Sequence, residues 1–96
     1  MCSSDLVVVW KFKEENKEHN IRIVREKLEE LPEIIFDIDK FEVGRAVRGD
    51  YDLALVSVFK NMEALERYLI HPSHQAIKNI LDRVVERRAL VDYVMD

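Results

Sequence analysis

The spacing of apolar residues changes period along the chain in an order that few folds can satisfy. Four segments show the apolar runs and period-two alternation that are typical of strands: residues 6–13, 34–47, 51–59 and 88–95. Between the first pair and between the last pair, apolar residues recur at helical spacing instead. The predicted order is therefore β-α-β-β-α-β. With right-handed crossovers, this order gives an α+β, ferredoxin-like fold, in which both helices cover one face of a four-stranded antiparallel sheet.

Length and composition predict a single domain. The chain has 96 residues, of which 48% are apolar, and it contains only two Gly and two Pro. A chain of this size has no room for a second core. Residues 1–4 are mostly small and polar, and we expect them to form a frayed N-terminal leader before a domain that spans residues 5–96.

Two irregularities are predicted in the first half of the chain. The first helix is expected over residues 14–31, and Pro32 is expected to end it because proline breaks the hydrogen bonding of a helix. In the second strand the apolar positions change parity near Asp39 and Lys40. Since side chains alternate strictly in a regular strand, this change predicts a bulge. The buried stripe of the first helix is expected to comprise Ile21, Val24, Leu28 and Leu31.

The second helical region is predicted to be broken in two. Asn61 is a suitable N-cap for its first segment. Because proline disfavours helical backbone at the residue before it, one helix should stop near His71 and another should start near Ser73. The buried residues are expected to be Met62, Leu65 and Leu69 before the break, and Ile77, Ile80, Leu81 and Val84 after it.

The strands carry apolar residues at both sets of alternate positions. Their apolar members include Trp10, Phe12, Leu53, Leu55 and Val91, as well as Val7, Val9, Val56 and Val58. Because these residues cannot all lie on one face, and both helices cover the same face, the other face should stay apolar and uncovered. Such a surface predicts a partner, most simply a second copy of the chain in a homodimer through the sheet faces.

Charge and cysteine content argue against several classes of partner and site. The net charge of −4 predicts no nucleic-acid surface, and the cluster of Arg83, Arg87 and Arg88 is expected to be a solvated face. No apolar run approaches the roughly 20 residues of a membrane span, so no membrane contact is expected. The single cysteine, Cys2, permits no internal disulfide. A cytoplasmic location is the resulting expectation.

The break between the two helical segments carries the side chains most suited to chemistry. Tyr68 and His74 flank it. A histidine with a pKa of about 6.5 can take a proton α to a carbonyl, and a phenol can donate a hydrogen bond to the developing enolate oxygen. The two are therefore candidate catalytic residues. In the structural alternative, His74 bonds a backbone carbonyl left open by the proline break and Tyr68 is a core aromatic residue.

The remaining candidates point less clearly to a function. Tyr68, His71, His74 and Trp10 are the predicted ligand-binding residues, although His71 is also well placed to serve the helix end. His19 lies among charged residues and is expected to be exposed. Since His71 and His74 lack a third clustered ligand, no metal site is predicted. With no Gly-rich phosphate loop either, no cofactor is expected.

The chain resembles a known family in four segments that occur in the expected order and spacing. These are residues 7–13 (VVVWKFK), 51–56 (YDLALV), 68–74 (YLIHPSH) and 91–93 (VDY). Together they resemble the stress-responsive α/β-barrel (Dabb) family, and the resemblance covers nearly the whole chain. It implies a dimeric α+β barrel, in which two ferredoxin-like sheets pack face to face around a shared interior.

The functions implied by this resemblance are less uniform than the fold. The family includes heat-stable plant stress proteins, bacterial proteins of unknown role, and a plant polyketide cyclase that closes an aromatic ring by aldol condensation. The cyclase's catalytic tyrosine and histidine correspond to Tyr68 and His74. Its further histidine, at the start of the first strand, corresponds to Leu6. Because this polar group is missing here, the same reaction on the same substrate is not expected.

Residues and resemblance together predict a homodimer that binds a small hydrophobic or aromatic carbonyl compound in a cavity between sheet and helices. If the protein is an enzyme, a cofactor-free, aldol-type reaction is expected. The main alternative is a non-enzymatic stress-response or assembly protein in which the histidines are structural. A cofactor-free monooxygenase is a weaker alternative, since it rests on shared architecture alone.

Overall fold

A computed structural model describes residues 2–96 of the chain. In chain order, its elements are β1 (Ser3–Phe12), α1 (Lys17–Ile34), β2 (Ile38–Arg45), β3 (Leu53–Phe59), α2 (Met62–Ile70), α3 (Pro72–Val84) and β4 (Val85–Met95). The strands form one sheet in the order β2-β3-β1-β4, and all neighbours are antiparallel. The predicted ferredoxin-like fold is confirmed, with its second helix divided into α2 and α3.

Strand alternation separates the sheet into a helix-covered face and an open face. In β1 every even-numbered residue is buried, including Trp10 and Phe12. The core also contains Leu53, Leu55 and Phe59 of β3, together with the predicted stripe of α1, Ile21, Val24, Leu28 and Leu31. The alternation therefore places one set of strand residues under the helices, as the sequence predicts.

The open face keeps the apolar residues that the helices leave uncovered. The β1 register places Val7 opposite Val56 of β3 and Val91 of β4. Val56 is 37% exposed and Val91 is 53% exposed, although both lie at the centre of strands. The prediction that the sheet has two apolar faces is confirmed. Within residues 2–96, no helix is long and apolar enough to cross a membrane.

Helix α1 differs from its predicted bounds at both ends. It begins at Lys17 rather than residue 14, because Asn16 adopts a left-handed conformation with φ of 53° and ends the preceding turn. The prediction that Pro32 ends α1 is also wrong, since the helix continues to Ile34. Proline removes only its own N–H, and the Ile35 N–H still donates to the Leu31 carbonyl at 2.9 Å to close the final turn.

Strand β2 is shorter than predicted but contains the predicted bulge. Residue 34 belongs to α1, and β2 starts only at Ile38, after Asp37 turns the chain with a φ of 66°. The register against β3 shifts between Ile38 and Lys40, as the parity change predicts. The β2–β3 hairpin is confirmed, and its loop contains Gly49 with a φ of 104°.

Two further predictions need correction. In α2 the buried residues are Ala64, Leu65 and Tyr68, whereas Met62 and Leu69 are 48% and 37% exposed. Helical spacing allows Leu65 to share a buried face either with Met62 and Leu69 or with Ala64 and Tyr68. The second face is the buried one because the large Tyr68 ring packs in the core.

The N-terminal leader is the second correction. Ser3 and Ser4 belong to β1, and Ser4 is buried where it pairs with Phe59 on one side and Val94 on the other. These two residues are therefore not frayed, because Ser4 is paired on both sides and Ser3 is paired with Met95 of β4. The part of the leader at residue 1 lies outside the described residues.

Asp52 joins three elements at one edge of the core. Its Oδ2 accepts a hydrogen bond from the Phe12 N–H at the end of β1 (2.8 Å), and its Oδ1 lies 3.3 Å from Lys17 Nζ at the start of α1. Burial raises the pKa of Asp52, but the Phe12 hydrogen bond and the Lys17 ammonium lower it by more, so it lies below its usual range. The ionised carboxylate is therefore the form that the fold stabilises.

We expect Asp52→Asn to lower the free energy of unfolding at pH 7 by about 1 kcal/mol, the usual scale for a partly exposed hydrogen bond to a charged group. Because the folded pKa lies below the unfolded value of about 3.9, the stabilisation is complete above that value and is lost as pH falls through the folded pKa. The free energy of unfolding of Asp52→Asn, measured with urea, should therefore change less with pH below about 4 than that of the wild type. Asp50→Asn in the neighbouring loop is the control, and equal destabilisation by both would contradict the assignment.

Candidate functional site

The break between α2 and α3 is closed by His71. Its N–H donates to the Tyr68 carbonyl at 3.2 Å, which terminates α2. Its ring Nδ1 accepts the Ser73 N–H at 3.1 Å, which caps α3. Pro72 occupies the first position of α3, where a missing N–H costs nothing. The prediction that His71 serves the helix end is confirmed.

Because the Ser73 N–H bonds His71, the Leu69 carbonyl lacks its helical hydrogen-bond partner, and two side chains bond this carbonyl instead. His74 Nδ1 lies 3.1 Å from this carbonyl oxygen, and Gln75 Nε2 donates to the same oxygen at 2.6 Å. Because a carbonyl can only accept, Nδ1 of His74 must carry the proton. In the neutral ring the lone pair is therefore on Nε2, where it can accept a hydrogen bond or a proton.

The surroundings of His74 favour that neutral ring. Burial lowers the pKa of His74, the hydrogen bond to Leu69 opposes this effect, and the charges of Lys78 and Arg88 lower the pKa further. Together these effects hold the pKa of His74 below the ordinary value of 6.5. His74 is therefore suited to act as an acceptor or base near neutral pH.

Tyr68 is packed among aromatic rings but keeps an available donor. Its ring centroid lies 4.9 Å from that of Phe59, 6.1 Å from that of Phe41 and 4.5 Å from that of His74. Tyr68 is only 1% exposed, and this burial raises the pKa of its hydroxyl well above the ordinary value. No side chain or backbone group of residues 2–96 makes a hydrogen bond to the hydroxyl, so a protonated donor remains available.

A cavity of about 300 Å³ lies between α3 and β4 and has β1 as its floor. Its apolar lining comprises Leu6, Val8, Leu28, Leu55, Leu69, Ile77, Leu81 and Leu90. Tyr68, His74 and Trp10 also line it, and Gln75, Lys78, Arg88 and Asp92 add polar groups. Because Arg88, Leu90 and Asp92 are exposed, the cavity opens towards the surface beside β4.

Trp10 lines the cavity, but its polar atom is enclosed by the protein. The residue is 4% exposed, and its Nε1 is buried with no hydrogen-bond partner among the described residues. A buried indole N–H normally has an acceptor, because leaving this donor unsatisfied costs free energy. Because Nε1 is enclosed by protein, Trp10 contributes the apolar part of its ring to the cavity.

The geometry can be compared with that of known proteins. Residues 6–95 match the family described as the stress responsive A/B barrel domain, Dabb. The chain belongs to the Dabb family. Among proteins with curated descriptions, none matches it in sequence.

Solved structures support the same fold for this Dabb domain. A dimeric protein of unknown function with a ferredoxin-like fold, from Bacteroides fragilis, is 32% identical, with a TM-score of 0.88 over 97% of this chain and 96% of its own. A Dabb family protein from Mesorhizobium loti is 22% identical, with a TM-score of 0.83 over 100% and 99%. The hydroxynitrile lyase of Passiflora edulis is 12% identical, with a TM-score of 0.87 over 98% and 94%. The last two likenesses concern the fold alone.

The Dabb domain brings together three of the four predicted ligand-binding residues. Tyr68, His74 and Trp10 line one cavity, whereas His71 is not part of its lining and its predicted contact with a ligand remains a prediction. His19 is exposed, and its Nδ1 lies 3.1 Å from Arg22 Nη2. Within residues 2–96, no three His, Cys, Asp or Glu side chains are placed to hold a metal ion.

Four polar lining residues were missed by sequence reasoning, namely Gln75, Lys78, Arg88 and Asp92. Arg88 was grouped with Arg83 and Arg87 as a solvated face. All three are exposed, but Arg87 lies over the Tyr51 ring, 5.3 Å from its centroid, and Arg88 lines the cavity. Alternation along β4 separates Arg87 from Arg88, but the sequence does not say which of the two faces the cavity.

We expect the imidazole of His74 to titrate below pH 6.5 in an NMR titration, because burial and nearby cations disfavour its charged form. Since unfolding restores the ordinary pKa, protein stability should fall as pH drops from about 6.5 towards the folded pKa. Lys78→Gln should raise the midpoint of His74, and Arg83→Gln, on the same helix but outside the cavity, should leave it unchanged. A midpoint above 6.5 would contradict this assignment.

Proposed function

We propose that this Dabb-domain protein binds a small hydrophobic or aromatic carbonyl compound in the cavity between α3 and β4. The observation that carries the proposal is that Tyr68 and His74 line one apolar cavity with their ring centroids 4.5 Å apart, while Nδ1 of His74 is engaged by the Leu69 carbonyl and Nε2 is not. A volume of about 300 Å³ lies at the small end of the range for ligand pockets. Apolar walls with a few polar groups are typical of small-molecule sites.

The protonation states of these groups suit a carbonyl compound. Tyr68 stays protonated and can donate to a carbonyl oxygen. His74 stays neutral and can take a proton from the carbon α to that carbonyl through Nε2. Tyr68 would then stabilise the enolate oxygen. In an aldol-type reaction the enolate carbon attacks a second carbonyl, and His74 returns the proton to the resulting alkoxide.

The apolar side chain of Leu6 in the floor of the cavity limits the substrates that we expect to bind. Leu6, which stands where the family's cyclase has a histidine, is 5% exposed and lines the cavity with an apolar side chain. A substrate that needs a polar contact at this end would lose it here. We therefore propose a ligand that presents an apolar end to Leu6, and not the cyclase's own substrate.

A second candidate function is supported by the hydrogen bonds of the histidines. His71 caps α3, and His74 forms a hydrogen bond with the otherwise unpaired Leu69 carbonyl. Both histidines therefore have structural roles that need no ligand. A non-enzymatic stress-response or assembly protein would require only these structural hydrogen bonds. The two candidates differ in whether Nε2 of His74 matters, because the structural role uses Nδ1 alone.

His74→Asn separates these candidates, since the amide N–H of asparagine can replace Nδ1–H as donor to Leu69 while Nε2 is lost. We expect His74→Asn to keep the wild-type melting temperature and to bind methyl 4-acetylbenzoate, a neutral aromatic ketone, about tenfold more weakly by calorimetry, the scale of one lost hydrogen bond of about 1.4 kcal/mol. Tyr68→Phe, which keeps the ring contacts, should behave similarly.

His74→Ala is the companion variant and should lose both stability and affinity. If His74→Asn and Tyr68→Phe bind the ketone as the wild type does, the site proposal fails. The structural candidate then remains, provided that His74→Ala alone is destabilised.

We also propose that the protein is a homodimer in which the open sheet faces of two copies pack together. The open face is apolar around Val7, Val56 and Val91, and the helices of the same chain do not reach it. Its edges carry charges of both signs, such as Lys40 and Glu42 of β2. The related protein from Bacteroides fragilis is described as dimeric. An isologous pairing of identical faces would cover the apolar centre in both copies.

Val56→Lys tests the dimer. A lysine at the centre of the open face would place two like charges in the interface, whereas in the monomer it can pair with Glu42, its neighbour across the strands. We expect light scattering at micromolar concentration to give twice the chain mass for the wild type and the single chain mass for Val56→Lys. Val47→Lys is the control, because Val47 is 93% exposed in a loop outside this face. A wild-type monomer would overturn the proposal.

The remaining expectations concern location and other partners. A cytoplasmic location is consistent with a single exposed cysteine, Cys2, which offers no internal disulfide. The net charge of −4 supports the expectation that neither nucleic acid nor an anionic membrane surface is a partner.

A further inference from the structure

We propose that the ligand of this cavity carries a carboxylate, which Arg88 and Lys78 bind at the cavity mouth while its carbonyl group lies nearer to His74 and Tyr68. The inference rests on the proposed function and narrows its ligand class from carbonyl compounds to aromatic keto acids. Three observations support it: two cations line the mouth without a paired carboxylate in the described residues, both lie at a similar distance from the α3–β4 corner, and the β1–β4 register places Trp10 opposite Arg88 at this end of the cavity.

The first observation concerns the charges of the lining. Lys78 of α3 and Arg88 of β4 both line the cavity, from opposite walls. Neither makes a salt bridge with a carboxylate of residues 2–96, although other basic residues such as Arg45 and Arg67 do. Asp92 is the one acidic lining residue, and it stands four residues from Arg88 on the same strand, or roughly 13 Å along it. Asp82 of α3 lines the adjoining depression beside Arg88, but it forms no salt bridge with Arg88 or Lys78.

The second observation concerns the level at which the two cations lie. Helix α3 ends at Val84 and β4 begins at Val85, so distances along both walls can be counted from this shared corner. Lys78 lies about 9 Å along α3, at 1.5 Å per residue. Arg88 lies about 10 Å along β4, at 3.3 Å per residue. The two residues are therefore at similar distances from the corner, and we infer that their side chains can bind one anion from opposite walls.

The third observation concerns the floor at this level. The β1–β4 register places Trp10 directly opposite Arg88. Trp10 also lines a second depression together with Leu81 and Arg88, so these side chains form one end of the site. A carboxylate has two oxygens and about four acceptor positions, which allows it to accept from Arg88 and Lys78 at the same time.

The spacing along α3 gives the length of the ligand. His74 precedes Lys78 by four residues, or about 6 Å along the helix. His74 therefore lies one turn farther from the corner, together with Tyr68, whose ring centroid is 4.5 Å from its own. One benzene ring between carboxylate and ketone can fill this interval, with apolar side chains against its faces. The geometry thus favours a carboxylate para to the reacting carbonyl.

The experiment compares two probes that differ only in charge. Titration calorimetry at low salt would measure the affinities of 4-acetylbenzoate and methyl 4-acetylbenzoate for the wild type, Arg88→Gln, Lys78→Gln and Arg83→Gln. We expect the wild type to bind the acid about tenfold more tightly than the ester, the scale of one charge-assisted contact. Arg88→Gln and Lys78→Gln should each weaken binding of the acid by more than binding of the ester, and so remove most of this preference. Arg83→Gln removes the same charge from α3 outside the cavity and should preserve the preference.

Each contrary outcome has a distinct meaning. If the ester binds as well as the acid, or if Arg83→Gln weakens the acid as much as Arg88→Gln does, the carboxylate inference is overturned while the carbonyl site survives. If neither probe binds the wild type, both the inference and the proposed function are overturned. Circular dichroism and melting temperatures of all variants would separate lost binding from lost folding.

Discussion

The site depends on the hydrogen bonds that Pro72 removes from the helical region. A continuous helix would bond the N–H of residue 72 to the Tyr68 carbonyl and that of Ser73 to the Leu69 carbonyl. Proline cannot make the first bond, and His71 takes over both ends of the gap: its N–H bonds Tyr68, and its ring accepts from Ser73. The Leu69 carbonyl is then free to hold the His74 ring in one tautomer. A backbone requirement thus orients the candidate base.

The same fold leaves two kinds of apolar surface uncovered, and they have different consequences. On the open face, valines such as Val56 form a broad surface with no element of the chain above it. On the helix side of β4, Leu90 is 50% exposed because α3 stands away from the strand. The first surface is an apolar sheet face of the kind that packs against another sheet. The second is the wall of a cavity, and cavities of this kind suit small molecules. The proposed dimerisation and the proposed ligand binding therefore use different parts of one sheet.

Much of the fold could be predicted because burial imposes its period on each element. The alternation in β1, the stripe of α1 and the bulge near Lys40 all follow from which residues must avoid water. The errors occur where local rules compete with packing. Pro32 does not end α1 because one more turn can still be closed around it. The buried stripe of α2 includes Tyr68 instead of Leu69, since helical spacing allows both and only the space in the core decides.

The sequence by itself determined the order of elements, the broken helix and the presence of Tyr68 and His74 on either side of the break, because these follow from periodicity and from the missing proline N–H. Only the tertiary structure decided that the two line a cavity together with Trp10, Lys78 and Arg88. That outcome depends on the β1–β4 register and on the gap between α3 and β4, which bring together residues as distant in the sequence as Trp10 and Arg88. The register and the gap are set by the volumes packed between the elements, and no local pattern in the chain encodes them.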